Sequence, residues 1–330
     1  MKSVVHHQAG DAAAVARVED RPDAPAPREG EIRVRVTFSP VHRGDLLLAE
    51  AAPPAAGHAL GTEAAGVVTE VGPSVSAPRV GDRVAVFPAP GAWSEHITVP
   101  AEAAVVVPDS VGDVTASVLL VNTLTARDVL RATEEITAAA AAPGDSPLVV
   151  TAAASAVGTL IVQQALDRGR PVIAIVRSDR SADVVRANWP DVPVVVSGRD
   201  GWQRELERAV HGRAVPVVAD AHGGPFVREL LPFLDDGGTV VVWGDLAAQP
   251  WTLSTGDLLM RGLMVRAVTI LRWPTRPAEV RTADRRAAVE VAVQHPHLFA
   301  VGAAYPLDEL QVAIAAARGT ATGTALLDLK

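Results

Sequence analysis

LVVTAAASAVGTLIVQQ, residues 148–164, decides the fold of this chain. An apolar run at 148–151 ends in small residues and passes into a helix read at 156–168. Small side chains let a backbone approach a pyrophosphate, and the open N–H groups of a helix start favour its negative charge. The spacing G-x-G-x-x-G survives only as Ala153-x-Ser155-x-x-Gly158. That motif is weak, and by itself it also fits an ordinary tight βα turn. Its surroundings favour the cofactor. Strands read at 172–176, 194–196, 215–219 and 238–243 alternate with helices at 181–188, 201–211 and 225–234. Alternation with continuously apolar strands predicts a parallel sheet covered on both faces, which binds its ligand at the carboxyl ends of the strands. Ala153, Ser155, Ala156, Val157 and Gly158 are therefore the candidate pyrophosphate-binding residues of a doubly wound α/β domain.

The next strand names the cofactor. It ends at Val176, about 20 residues past the turn, where an acidic residue would bind the ribose hydroxyls of NAD. Arg177 stands there instead, followed by Ser178, Asp179 and Arg180. Two guanidiniums and a hydroxyl suit a 2′-phosphate, so the expected cofactor is NADPH. An alternative is that these arginines only solvate a loop. Asp179 is also a carboxylate that can serve a free ribose.

Outward from this core the pattern changes. Residues 31–37, 64–71 and 83–87 alternate apolar and polar side chains, and turn residues punctuate them at 22–30 and 72–82. Short strands of this kind predict a small β-barrel. Helical spacing begins near 115 and runs to about 132. A tail from about 262 carries another strand, an amphipathic helix at 283–293 and a closing helix–strand. The expected division is a first domain at 1–115, a nucleotide-binding domain at 116–265, and a segment at 266–330 that returns to the first.

Composition narrows the chemistry. The chain has no cysteine, which excludes disulfides, thiolate catalysis and a Cys-rich structural zinc site. Its net charge is −8, and no Lys/Arg stripe offers nucleic acid a footprint. No apolar run approaches the roughly 20 residues of a membrane span. The opening MKSVVHHQAG lacks a signal-peptide pattern. A cytoplasmic protein acting on a small molecule is the expectation.

Seven segments together resemble the medium-chain dehydrogenase/reductase superfamily. They are GEIRVRVTFSPVHRGDLL at 30–47, GTEAAGVVTEVGPSV at 61–75, VGDRVAVF at 80–87, GAWSEHITVP at 91–100, LLVNTLTA at 119–126, AAASAVG at 152–158 and LLPFLDDGGTVVVWG at 230–244. YPLDEL at 305–310 also fits. The nearest branch is the trans-2-enoyl-thioester reductases, with zinc-free quinone reductases close by. The resemblance covers essentially the whole chain. It implies a GroES-like β-barrel domain beside a Rossmann domain, with the nicotinamide in the cleft between them, and a homodimer. It also adds Trp243 and Gly244 to the cofactor-binding residues.

In zinc-dependent members the metal ligands fall at positions matching His42, Thr62 and Asn122. Only His42, with Glu63 beside Thr62, could bind zinc, and catalytic zinc needs three protein ligands. No metal is expected. A metal-free cleft suits a conjugated acceptor, whose charge spreads over an enolate or hydroquinone that hydrogen-bond donors can stabilise. The enoyl reductases carry a tyrosine in the loop that is LLLAEAAPPAAGHALG here, at 46–61, and this chain has none there. His42 is the leading replacement proton donor, since imidazole titrates near neutral pH. It could equally be a hydrogen-bonded structural histidine. Asn122 and Thr125 either bind the nicotinamide or substrate carbonyl or simply start their helix. His58 on the loop and Trp273 in LRWPTR are candidates for the substrate pocket, against solvation and packing respectively. Asp45 and Glu63 are read as structural braces, Arg127 and Asp128 as helix-surface charges, and His6, His7, His295 and His297 as surface residues.

The leading function is NADPH-dependent reduction of an activated C=C bond in an enoyl thioester or enone, with secondary metabolism fitting the altered loop. Alternatives are an NADPH quinone reductase and a non-catalytic protein that kept the fold and binds NADPH.

Overall fold

Runs of Val, Ile and Leu buried along their whole length form the centre of one unit of the chain. The computed structural model describes residues 1–51, 58–319 and 323–330. Residues 122–276 form this unit, and residues 1–121 with 277–330 form another. Six parallel strands lie in the order Val194–Val196, Val172–Val176, Leu148–Thr151, Val217–Asp220, Thr239–Val242, Met264–Ala267. The next two strands in sequence stack to one side of Leu148–Thr151, and the following three to the other. The order therefore reverses between Leu148–Thr151 and Val217–Asp220, and loops leaving opposite ways there open a crevice at the carboxyl ends. Helices Ala156–Asp167, Asp179–Asn188, Trp202–Val210 and Phe226–Leu230 connect the strands. Trp202 and Leu206 of the third pack with Val149, Ile173, Val218 and Val240 on one sheet face. This is the doubly wound α/β fold.

In the other unit, alternation gives antiparallel pairing. The Glu31–Pro40 strand hydrogen-bonds to Ala64–Val71 on one side and to His96–Pro100 along its first half. Its second half pairs with Thr324–Asp328 from the tail, which itself runs parallel to Val301–Pro306. Arg83–Val86 and Ala104–Val106 complete a seven-stranded sheet. A separate three-stranded sheet joins Arg17–Asp20, Lys2–His6 and His58–Ala59. Trp93 is fully buried among these strands, and its indole N–H donates to the Pro40 carbonyl at 2.9 Å. Gly66 is required where two strands touch, because a Cβ there would lie 2.2 Å from the Arg35 carbonyl oxygen.

The units divide at 121/122 and 276/277 rather than at 115 and 265. Two local facts move the boundaries. The helical pattern from 115 is two helices, Asp113–Ser117 and Leu119–Ala139, separated at Val118. The Met264–Ala267 strand pairs with Thr239–Val242, so it extends the parallel sheet before the tail turns back.

Candidate active site

The nucleotide-type turn is built by backbone geometry. Leu148–Thr151 ends at Ala152, whose φ of +50 is left-handed for a residue that carries a Cβ. Ala153, the first position of the motif read from the sequence, is the next residue. Ala153 is fully buried, with its N–H directed at the Ile175 carbonyl at 3.3 Å, so it packs the turn and offers no face to a ligand. Ser155 caps the Ala156–Asp167 helix, its hydroxyl accepting from the Gly158 N–H at 3.1 Å. Such a cap contributes about 1 kcal/mol. Its oxygen is thus committed to the helix, and the donors left for an anion are the N–H groups of Ala156 and Val157, which have no acceptor among the described residues. Gly158 keeps the helix against the turn: a Cβ there would stand 2.2 Å from the Ala152 carbonyl oxygen.

The far wall of the crevice is held by a buried carboxylate. The Thr151 hydroxyl donates to Asp220 Oδ1 at 2.6 Å and accepts from the Ala221 N–H at 3.0 Å. Asp220 also accepts from the N–H groups of His222 and Gly223. This network ties the ends of the two strands that flank the order reversal. Trp243 and Gly244 follow the Thr239–Val242 strand. Trp243 donates its N–H to the Asp220 carbonyl at 2.9 Å, and its buried indole nitrogen has no partner among the described residues. Gly244 lines an open pocket of about 440 Å³ together with Gly223, Val242 and Trp251.

Next to the turn, the Val172–Val176 strand delivers Arg177 and Arg180 to the surface. Neither guanidinium has a hydrogen bond or ion pair among the described residues. Ser178 caps the Asp179–Asn188 helix by accepting from the Ser181 N–H. Asp179 is not free for a ribose, because Arg199 pairs with it. Arg199 was missed in the sequence. It follows the neighbouring strand, Val194–Val196, and the parallel strand order would have brought it to this end of the sheet.

In the other unit, three side chains far apart in sequence meet. His42 Nε2 lies 2.6 Å from Glu63 Oε2; His42 is 13% exposed and Glu63 fully buried. The other Glu63 oxygen accepts from the N–H groups of Leu120 at 2.6 Å and Val121 at 2.9 Å, the open start of the Leu119–Ala139 helix. Val118, just before that helix, has no side-chain acceptor, so Glu63 does a cap's work from 57 positions away. Asp45, also buried, accepts from the His42 N–H at 3.0 Å and from the Thr62 hydroxyl at 2.8 Å. Burial pushes the His42 pKa down, but the Glu63 hydrogen bond and the charges of Glu63 and Asp45 outweigh it, and the net direction is up. For Asp45, burial raises the carboxyl above its ordinary value despite the opposing pull of His42 and Thr62. His42 Nδ1 has no partner among the described residues and is not sealed from solvent.

These residues do not suit a zinc ion. The chain has no cysteine, His42 Nε2 is occupied by a carboxylate, and the Thr62 hydroxyl is bonded to Asp45. Among the described residues no group of three or more His, Asp or Glu could hold a metal.

The remaining candidates separate. Asn122 and Thr125 lie on the Leu119–Ala139 helix, both largely buried. The Asn122 amide has no partner among the described residues, while Thr125 has one. His58 is exposed and pairs across to His6, the rings edge-on at 5.6 Å. Trp273 is fully buried, so it packs and presents no wall to a substrate. The loop at 52–57 lies outside the described residues. Two surface assignments change. His6 is buried, with Nδ1 at 3.1 Å from the Gln8 carbonyl, and Asp128 is buried between Arg131 and Arg276.

A parallel sheet with its order reversal beside an open helix start, in one chain with a β-rich unit, defines a dehydrogenase-type protein. Residues 28–109 match the alcohol dehydrogenase GroES-like domain, and residues 156–288 the zinc-binding dehydrogenase domain. The chain is 30% identical to a quinone oxidoreductase of Salmonella typhimurium, over 78% of this chain and 76% of that protein. It is 27% identical to the mitochondrial enoyl-[acyl-carrier-protein] reductase of Xenopus tropicalis, over 80% and 75%. A mycobacterial structure, crystallised with NADPH, matches with a TM-score of 0.84 and 26% identity over 99% of each chain. The chain belongs to the medium-chain dehydrogenase/reductase superfamily, on the zinc-free branch of enoyl and quinone reductases. Among the described residues no helix is long and apolar enough to cross a membrane.

Proposed function

We propose that this protein is an NADPH-dependent reductase of an activated C=C bond, in an enoyl thioester or enone, with His42 as the proton donor. The observation that carries the reading is the His42–Glu63 pair: an imidazolium favoured by two buried carboxylates, with Nδ1 left open. Three features fit the cofactor: the N–H groups of Ala156 and Val157, without an acceptor among the described residues; the close packing of helix against turn that Gly158 allows; and the cations Arg177 and Arg180, unpaired among the described residues. The NADPH named with the mycobacterial relative supports the same choice.

Bound there, NADPH would supply the hydride for the reduction. The Ala156 and Val157 N–H groups hold the pyrophosphate at the helix start. Arg177 and Arg180 grip the 2′-phosphate, a dianion suited to two guanidiniums. The Asn122 amide, without a partner among the described residues, would hydrogen-bond the substrate carbonyl or the carboxamide of the nicotinamide, and Thr125 would support it three residues along the helix. His42 delivers its Nδ1 proton to the enolate, becoming a neutral imidazole whose Nε2–H stays on Glu63.

The Salmonella relative favours a second reading, quinone reduction. Quinone oxygens take protons from water, so that reaction does not depend on His42. NADPH oxidation against enoyl thioesters, enones and quinones separates the two. Thioester or enone turnover that needs His42 is the expected result. Turnover of quinones alone selects the second reading, and tight NADPH binding without turnover makes the chain a binding protein.

The proposal includes a homodimer. The Met264–Ala267 strand is exposed along its length and has a neighbour on one side only among the described residues. Met264 and Val265 are apolar side chains on that edge. A second copy related by a two-fold axis would cover it.

A further inference from the structure

The geometry points to Glu63 as a positioning residue that assigns the two ring nitrogens of His42 their roles, one oxygen fixing the imidazole while the other closes the helix start at 120–121. The inference rests on the reading of His42 as proton donor and extends it to a residue that touches neither substrate nor cofactor.

Three observations carry it. First, Glu63 is fully buried, and a buried carboxylate must have every oxygen satisfied. Its Oε1 is occupied by two backbone N–H groups, so it cannot rotate away, and Oε2 is held at the imidazole. Second, a carboxylate only accepts, so Nε2 must carry a hydrogen in every protonation state of the ring. The exchangeable proton is then on Nδ1, the nitrogen without a partner among the described residues. Third, the charged groups that act on the ring are Glu63 and Asp45, both anionic when ionised, and both favour the cationic ring. The proton inventory is simple. The imidazolium gives the Nδ1 proton to the enolate, and the ring returns as the Nε2–H tautomer without moving. Water restores the Nδ1 proton between turnovers.

Glu63→Gln isolates this role. The glutamine oxygen still accepts from Leu120 and Val121, so the helix start is kept. Its NH2 group then faces Nε2 and demands a lone pair there, which traps the neutral Nδ1–H tautomer, a very weak acid. The expected result is a kcat lowered at least about tenfold at neutral pH. The upper limb of the pH–rate profile should move about 1–3 pH units lower, since an opposite charge has been removed. The dissociation constant for NADPH should not change. A pH profile that superimposes on the wild type overturns the assignment. Should this variant not fold, titration of the wild-type imidazole C–H signals by NMR, assigned through His42→Ala, decides: a midpoint above 6.5 supports the clamp, and one at or below 6.5 overturns it. If His42→Ala itself leaves the rate unaltered, the proton-donor reading fails. If His42→Ala lowers the rate while Glu63→Gln leaves the profile in place, only the role of Glu63 fails.

Discussion

At the turn 152–158 the proposed binding groups are backbone N–H ends inside a span of seven residues, while around His42 the hydrogen-bonded groups come from positions 42, 45, 62–63 and 120–121. Both regions are prepared for charge. The turn does it with unsatisfied donors that secondary structure leaves over at a helix start. The His42 cluster does it with buried carboxylates, each committed to several partners. The contrast predicts different sensitivities: the turn tolerates changes of side chain and fails when backbone spacing changes, whereas the cluster fails when one functional group is altered.

The largest expected effect is at the cluster. His42→Ala should lower kcat on an enoyl substrate by about 10²–10⁴-fold, the usual contribution of a positioned acid, with NADPH affinity nearly unchanged. An unaltered rate would remove His42 from the mechanism. In the wild type the sign of the pH dependence follows from the raised pKa of His42. Burial, the largest single influence, lowers it, but Glu63 and Asp45 raise it more. The acid form therefore persists at pH values below the raised pKa, and turnover should fall as pH rises through it. The same shift contributes folding stability that is full below the ordinary value of 6.5 and is lost as pH rises through the folded value.

At the turn, Gly158→Val tests the backbone half. Its Cβ would collide with the Ala152 carbonyl, and the helix must move. We expect a loss of about 3 kcal/mol in denaturant unfolding, together with loss of NADPH binding by fluorescence titration. A stable variant that still binds would show that the turn does not seat the pyrophosphate. A smaller effect is expected one strand over. Arg177→Ala should weaken NADPH about tenfold or somewhat more, a charge-assisted bond contributing about 1.5–3 kcal/mol, and should leave NADH unchanged. Equal weakening of both would count against a 2′-phosphate contact.

The same contrast explains what could be read before the structure. The sheet was legible because buried parallel strands are continuous apolar runs of local sequence, such as VIAIV at 172–176. Ser155 was marked as a motif position, and its capping of the helix shows only in the structure. What stayed hidden depends on long-range approach. Nothing near Glu63 announces that its second oxygen closes a helix 57 positions on, and it passed as a brace. Asp128 resembles a helix-surface charge until Arg276, 148 residues later, folds onto it. Val118 separates two helices within a pattern that reads as continuous, because periodicity records which face is apolar and does not register a single broken turn. Ala152 went unmarked for a related reason: small residues at 152, 153 and 154 are interchangeable by composition, and only the path of the chain selects the one with positive φ.

The Arg199–Asp179 pair has a consequence for coenzyme economy. In the proposed seat of the cofactor, a bare Asp179 carboxylate would repel a 2′-phosphate and welcome a free diol, and Arg199 pairs with it. If NADPH is seated as proposed, the choice against the other dinucleotide would depend in part on this one guanidinium from the adjacent strand. Arg199→Ala would release that carboxylate and narrow the gap between the two coenzymes from both directions, so that a single substitution outside the fingerprint resets which cellular pool of reducing equivalents the enzyme draws on.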